Sequence, residues 1–159
     1  MKFSQKIDNH SFIYKFITSF FITFLCLNIN VALADCDFAS ASSLDFGTYS
    51  VLDFMNSNGV GAVTVNCTGN GQSSVVALST GVSNSYASRY MLSGADKIRY
   101  NIYVDAARTL VWGDGSAGNY TNLSAPHAQS TYYLFGQIPA RQNVSAGVYV
   151  DNIVITVNF

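Results

Sequence analysis

Few side chains in this sequence have the types and spacing that catalysis needs. All nine acidic residues are aspartates, and the chain contains no glutamate. His127 follows Pro126 and has no cysteine or serine nucleophile motif beside it, and no G-x-S-x-G motif occurs. General acid–base catalysis requires titratable groups brought together in one site. We therefore predict that the protein has no catalytic residues and is not an enzyme.

Two further groups of polar residues could do chemistry of another kind. Asp114, Asn119 and Asn122 lie in a glycine-rich loop and could supply oxygen ligands to calcium, but the pattern does not follow the twelve-residue EF-hand loop. Asp105 and Arg108 suit a local salt bridge or a turn cap. We predict no metal site and no cofactor.

The first 34 residues resemble a secretory signal. Lys2, Lys6 and Lys15 give a basic start, residues 16–27 are apolar, and Ala32-Leu33-Ala34 is an A-x-A cleavage site. A membrane-spanning helix would need about 20 apolar residues, so an uncleaved anchor is the weaker alternative. We predict a signal peptide over 1–34 and one exported domain over 35–159.

Removal of that signal leaves two cysteines. Cys26 departs with the signal, and Cys36 and Cys67 remain. An even pair in an exported chain favours a disulfide, because a two-cysteine metal site would lack its other ligands. A Cys36–Cys67 disulfide is therefore expected.

Composition favours an all-β domain and argues against nucleic-acid binding. Charged residues make up 11% of the chain, aromatic residues 14%, and the net charge is −1. Strong helix formers are scarce, whereas β-branched and aromatic residues recur. Apolar and polar residues alternate in short segments separated by glycine-bearing turns, which predicts a β-sandwich of six or seven strands. The predicted strands are residues 44–49, 61–67, 74–78, 89–92, 97–104, 129–135 and 146–159.

The last of these segments is the longest, and nothing follows it in the sequence. Its inward face carries, at a spacing of two, Tyr149, Asp151, Ile153, Ile155, Val157 and Phe159. That period predicts a strand with one apolar face. A final strand with an open edge needs a partner strand from this chain or from another.

Three stretches of the sequence resemble one family. They are Tyr100–Gly115, which includes Trp-Gly-Asp-Gly, Phe135–Gln142, and Ala146–Phe159. In this order, with an early cysteine followed by another about thirty residues later, they resemble the spore coat protein U domain shared by subunits of archaic chaperone–usher pili. The likeness covers the chain from Cys36 to Phe159.

The resemblance implies a fold, partners and a site. It implies an incomplete immunoglobulin-like sandwich whose missing strand is supplied by a donor strand, first from a periplasmic chaperone and then from a neighbouring subunit. It also implies an outer-membrane usher, export through the periplasm to the cell surface, and a role in adhesion or biofilm formation. The residues implied for the groove are Tyr149, Ile153, Ile155, Val157 and Phe159, with the Phe159 carboxylate as the chaperone anchor.

The position in such a fibre depends on where the signal is cut. Cleavage after Ala34 leaves only Asp35 before Cys36, so the subunit would accept a strand without donating one, as a tip or minor subunit does. A signal cut earlier would leave an alternating donor stretch in the mature chain. That stretch carries Leu25, Leu27, Ile29, Val31 and Leu33.

Two rival functions share these features. One is a self-complete secreted binding module, for example for carbohydrate, and the other is a spore or cyst coat protein. Tyr86, Trp112 and Tyr120 are possible surface-contact residues. For Trp112 a structural place in the sandwich is favoured, because large aromatic side chains are mostly buried.

Overall fold

Two antiparallel β-sheets account for the strands of the computed structural model, which describes residues 35–68, 75–123 and 129–158. The predicted signal, His127 and Phe159 lie outside these ranges. The expected all-β class is confirmed, since a single 3-10 turn, Gly81–Ser83, is the only helical element among the described residues. None of these residues forms a helix with the length and hydropathy needed to cross a membrane.

Eight strands occur in the described part of the chain, against the six or seven expected. They are β1 (Asp35–Ala41), β2 (Ser57–Thr68), β3 (Val75–Leu78), β4 (Arg89–Ser93), β5 (Asp96–Tyr103), β6 (Asn122–Leu123), β7 (Gln129–Ile138) and β8 (Ile155–Asn158). Neither β1 nor the two-residue β6 was predicted.

The strands form one sheet of five and one of three. Sheet one has the order β1-β2-β7-β5-β4, and sheet two has the order β6-β3-β8. The longest ladder joins β2 to β7, from Ser57 opposite Ile138 to Asn66 opposite Gln129. Alternate residues of a strand face opposite sides of a sheet, and the inward residues of both sheets form one core. That core includes Val63, Val65, Val76, Leu78, Ile98, Ile102, Trp112, Leu134 and Ile138.

The Cys36–Cys67 disulfide is confirmed. The two cysteines lie opposite each other in the β1–β2 ladder, and their Cα atoms are 4.1 Å apart. The bridge ties the start of β1 to the end of β2.

The expectation of a strand at residues 44–49 is wrong. This segment makes one isolated bridge, between Asp45 and Val60, instead of a ladder. The edge of β2 is instead paired with the preceding strand, β1 (Asp35–Ala41). The chain then passes across inward glycines of sheet one, and the alternation of Leu44 and Phe46 reflects their packing onto the core.

The predicted long strand at the C-terminus is shorter than expected. Only Ile155–Asn158 forms a ladder, with β3, and Val150 makes an isolated bridge to Leu92 of β4. The segment therefore bonds to sheet one at Val150 and to sheet two from Val154 onward. The predicted alternation of its side chains is nevertheless present: odd-numbered residues from Tyr149 to Val157 are half-buried and even-numbered ones are exposed.

Candidate functional site

An apolar groove lies between the segment after β1 and the C-terminal segment. It consists of two adjoining cavities of about 740 Å³ and about 290 Å³. Both cavities are lined by Leu44, Phe46, Met91 and Tyr149. The larger extends along residues 44–52 and 144–149, and the smaller extends toward Ile153 and Ile155. The cavity lining follows two chain segments, an arrangement that suits an extended peptide.

Glycines of sheet one place the first wall of the groove. A Cβ atom at Gly136 of β7 would lie 2.6 Å from the ring tip of Phe46, and one at Gly59 of β2 would overlap the main-chain oxygen of Asp45. Only glycine leaves room for the 44–46 segment to lie this close to the sheet. Phe46 also packs edge-on against Tyr100, with 5.8 Å between ring centroids.

The second wall is the C-terminal segment, and one of its edges is open. Val150 exchanges two main-chain hydrogen bonds with Leu92, at 2.9 and 3.0 Å, and the Ser79 amide donates to the Val154 carbonyl at 2.9 Å. Main-chain groups of successive residues in an extended chain point to opposite sides. Those of Tyr149, Asp151 and Ile153 therefore point away from β4 and Ser79, and no described residue pairs with them.

The open edge continues along β8. β8 is the end strand of sheet two, so no described strand pairs with its second edge. Unpaired main-chain groups are costly when a partner buries them without replacing their hydrogen bonds. An incoming strand would supply those bonds and cover the apolar cavities in one step.

The structure brings most of the sequence-predicted groove residues together. Tyr149, Ile153 and Ile155 line the cavities, and Val157 is half-buried against the core on the same face. Phe159 lies outside the described residues, so its predicted role as an anchor stays a prediction.

Sequence reasoning missed the first wall and the floor of the groove. The sequence predicts an ordinary strand at Leu44 and Phe46. Their alternation was the available signal that both side chains pack inward. The floor consists of residues from three strands of sheet one, whose convergence depends on long-range pairing. They are Met91, Ile98, Tyr100, Ile102, Leu134 and Ile138.

Exposed apolar side chains lie beside the larger cavity. Leu52 and Val148 line that cavity, and Phe54 and Met55 follow Leu52 in the chain; all four are between 78 and 82% exposed. The guanidinium of Arg141 lies 3.9 Å from the centroid of the Phe54 ring, so the loops that precede β2 and follow β7 are in contact. Clustered exposed apolar residues mark interaction surfaces more often than isolated ones do.

One carboxylate belongs to the inward face of the C-terminal segment. Asp151 accepts a hydrogen bond from the Tyr100 hydroxyl at 2.7 Å and from the Val82 amide at 3.0 Å. Burial, together with this bond to a carboxylate, raises the pKa of Tyr100 far above its usual value, so the phenol stays protonated and keeps donating.

The three predicted surface-contact residues differ in how exposed their side chains are. Trp112 has the structural place favoured for it, and its alternative role as a surface contact is wrong, because its side chain is 0% exposed and its Nε1 donates to the Val76 carbonyl at 3.0 Å. Tyr120 is 47% exposed, and Tyr86 is half-buried. A contact role for Tyr86 and Tyr120 stays a prediction.

The remaining polar candidates are engaged in local turns. The Asp114 carboxylate accepts bonds from the Ser116 hydroxyl and amide, which lower the pKa of Asp114. The Asp105 carboxylate accepts from Thr109 and Leu110, as a turn cap does. Among the described residues no three His, Cys, Asp or Glu side chains lie close enough together to hold a metal ion.

Comparison with known proteins gives consistent matches. A family model described as the Spore Coat Protein U domain matches residues 22–156. Protein U of Myxococcus xanthus is 30% identical over 136 residues, which cover 76% of this chain and 74% of that protein.

A solved structure extends the likeness to the fold. It is a chaperone–tip adhesion subunit pre-assembly complex, CsuC–CsuE, from the archaic chaperone–usher Csu pili of Acinetobacter baumannii. The TM-score is 0.56 at 23% identity, and the match covers 80% of this chain and 40% of that chain. This chain thus spans less than half the length of the matched one, and the likeness concerns the fold.

Proposed function

Because the chain belongs to the Spore Coat Protein U domain family, we propose that it is a structural subunit of a chaperone–usher surface fibre, assembled by donor-strand complementation. The observation that carries this proposal is the open main-chain edge of Tyr149, Asp151 and Ile153 beside an apolar groove. An extended strand from another protein satisfies both features, through main-chain hydrogen bonds and through alternate apolar side chains.

The energy available from filling the groove supports the proposal. Each apolar side chain that an inserted strand buries contributes roughly 1.5–3 kcal/mol. Four such residues would contribute roughly 6–12 kcal/mol, comparable with the roughly 5–15 kcal/mol that separates a whole domain from its unfolded state. We infer that the domain depends on a complementing strand, from a periplasmic chaperone before assembly and from another subunit afterwards.

The partners and the location follow from the same proposal. We expect export through the periplasm, transfer at an outer-membrane usher, and a final place at the cell surface in adhesion or biofilm formation. The exposed Leu52, Phe54, Met55 and Val148 beside the groove support contact with a partner larger than a single strand. The solved structure of similar fold is a complex of a chaperone with a pilus subunit. This supports our expectation that a periplasmic chaperone also binds this chain.

A tip or minor position is favoured over a shaft position. Cleavage after Ala34 would leave a subunit that accepts a strand and has none to donate. The alternative is an earlier cut that retains the alternating Leu25–Leu33 stretch as a donor, and it is supported by a family match that begins at residue 22. A coat-layer subunit is the second candidate function, supported by the description of the family and by the likeness to Protein U.

Native mass spectrometry of the chain recovered from the periplasm tests the proposal. An affinity tag between Ala117 and Gly118, both exposed and remote in sequence from the groove walls, leaves Phe159 unmodified. With its neighbouring assembly genes expressed, the chain is expected in a one-to-one complex with a second protein. A stable lone monomer would contradict the proposal and favour a self-complete binding module.

The same spectrum distinguishes the fibre positions. A mature mass that begins at Asp35 supports a tip or minor subunit. A mass that begins before Leu27 supports a shaft subunit with its own donor strand.

A further inference from the structure

Asp151 occupies an unusual place on the inward face of the C-terminal segment. Its neighbours at a spacing of two are Tyr149 and Ile153, and all three line the smaller cavity. A carboxylate half-buried among apolar side chains is unfavourable unless hydrogen bonds compensate for its lost hydration. The question is what this carboxylate does that an apolar residue would not.

The contacts of Asp151 reach two separate parts of the domain. Its Oδ2 accepts from the Tyr100 hydroxyl of β5 at 2.7 Å, and its Oδ1 accepts from the Val82 amide of the 3-10 turn at 3.0 Å. A third bond, from the Asn152 amide at 2.8 Å, is local. Each oxygen thus already accepts a hydrogen bond from this chain.

The place of Asp151 along the segment explains the need for these bonds. Main-chain hydrogen bonds fix Val150 to Leu92 and Val154 to Ser79. Between these two points, residues 151–153 make no main-chain hydrogen bond to either sheet in the described part of the chain. The Asp151 side chain holds the segment at the point where the ladder is missing.

The 3-10 turn is shaped around this carboxylate. Gly81 has a φ of +63°, and a Cβ atom at this position would overlap the Asp151 carboxylate. Any other residue at position 81 would displace the bond from Val82.

We propose that Asp151 is a positioning residue that holds the open edge of the groove extended before a strand arrives. This inference rests on the proposed function, because it assigns Asp151 a part in strand acceptance. A binding surface that is ordered in advance loses less conformational entropy on association, so affinity rises without any new contact to the partner. Asp151 raises affinity in this way although its oxygens face Tyr100 and Val82.

Complex lifetime tests the inference. The probe is the periplasmic partner that copurifies with the wild-type chain, and the readout is the half-life of the complex after dilution. Asp151→Ala is expected to shorten the half-life at least tenfold. Tyr100→Phe and Asp151→Asn, which each remove part of the hydrogen-bonding, are expected to give intermediate values, and Asp37→Asn on the exposed surface of β1 serves as the matched control.

Amide hydrogen exchange separates positioning from a general loss of stability. In Asp151→Ala, exchange at Val150 and Val154 is expected to accelerate, while amides in the β2–β7 ladder keep their protection. Equal acceleration throughout the domain would overturn the inference, since Asp151 would then be a general stabilising residue.

The outcomes also separate this inference from the proposed function. A wild-type complex with an unchanged half-life in Asp151→Ala would overturn the inference and leave the function standing. Failure of the wild-type chain to form any complex would overturn the proposed function, and the inference with it.

Discussion

At the scale of single residues, the buried guanidinium of Arg89 joins the two sheets. Arg89 is 0% exposed, and it donates twice to the Ser79 carbonyl, once to the Trp112 carbonyl at 2.8 Å and once to Asn101 Oδ1 at 2.8 Å. Burial lowers the pKa of Arg89, an effect opposed by Tyr100, Tyr86 and Asp151 nearby. Ser79 follows β3 of sheet two and Arg89 begins β4 of sheet one, so this side chain links the sheets beside the C-terminal segment.

Arg89→Met is expected to lower the free energy of unfolding by about 3 kcal/mol or more, because the carbonyls of Ser79 and Trp112 and the Oδ1 of Asn101 each lose hydrogen bonding at about 1 kcal/mol or more. Arg89→Lys should lose less, since the ammonium keeps a charge and some donors but not the planar geometry. Urea unfolding measures both. Arg99→Met, an exposed arginine on β5, is the control and should stay within about 0.5 kcal/mol of wild type. Equal effects at the two positions would contradict the linking role of Arg89.

At the scale of elements, the first wall of the groove depends on glycines in β2 and β7. Gly59 and Gly136 lie opposite each other in the ladder, and both face the 44–46 segment. They differ in what a larger residue would meet. At Gly136 it would meet the flexible ends of Phe46 and Leu44, whereas at Gly59 it would meet the main chain of Asp45.

Gly59→Ala should therefore be more destabilising than Gly136→Ala. We expect about 2–3 kcal/mol for Gly59→Ala, because the Asp45–Val60 bridge must break, and about 1 kcal/mol for Gly136→Ala, because side chains can rotate away. Thermal or urea unfolding gives both values. Combining Gly136→Ala with Phe46→Leu should recover part of the loss, and a failure to do so would argue against contact with Phe46 as the cause.

At the scale of the whole molecule, the domain combines a closed core with an open edge. The core joins both sheets through Trp112 and its neighbours, and the disulfide ties β1 to β2 at one end. The edge of the C-terminal segment remains available because no described strand pairs with it. A domain of this design gains stability when a strand binds, since a ligand that binds only the folded state stabilises it by mass action.

The double variant Cys36→Ala/Cys67→Ala should lower the free energy of unfolding by about 3–4 kcal/mol in the chain-entropy model. The strand-bound complex should tolerate the loss better than the bare domain. Urea unfolding of both forms measures the difference, and dithiothreitol should destabilise the wild type without affecting the variant. An effect of the reductant on the variant would point to a cause other than the disulfide.

Local patterns in the sequence were sufficient for several features of this protein. They predicted the all-β class, the Cys36–Cys67 disulfide and the inward alternation of Tyr149, Ile153 and Ile155. These features follow from the period of side chains along one strand and from the even number of cysteines in an exported chain, and neither requires knowledge of distant contacts.

Only the tertiary structure decided which strand edges are paired and which polar groups are buried. Periodicity shows which side chains point inward, but hydrogen-bond partners are set by residues far away in the chain. For this reason the sequence could not show that Leu44 and Phe46 form a groove wall or that the C-terminal segment changes sheets after Val150. It also could not show that Arg89 is fully buried, because only assembled carbonyl acceptors make that burial favourable.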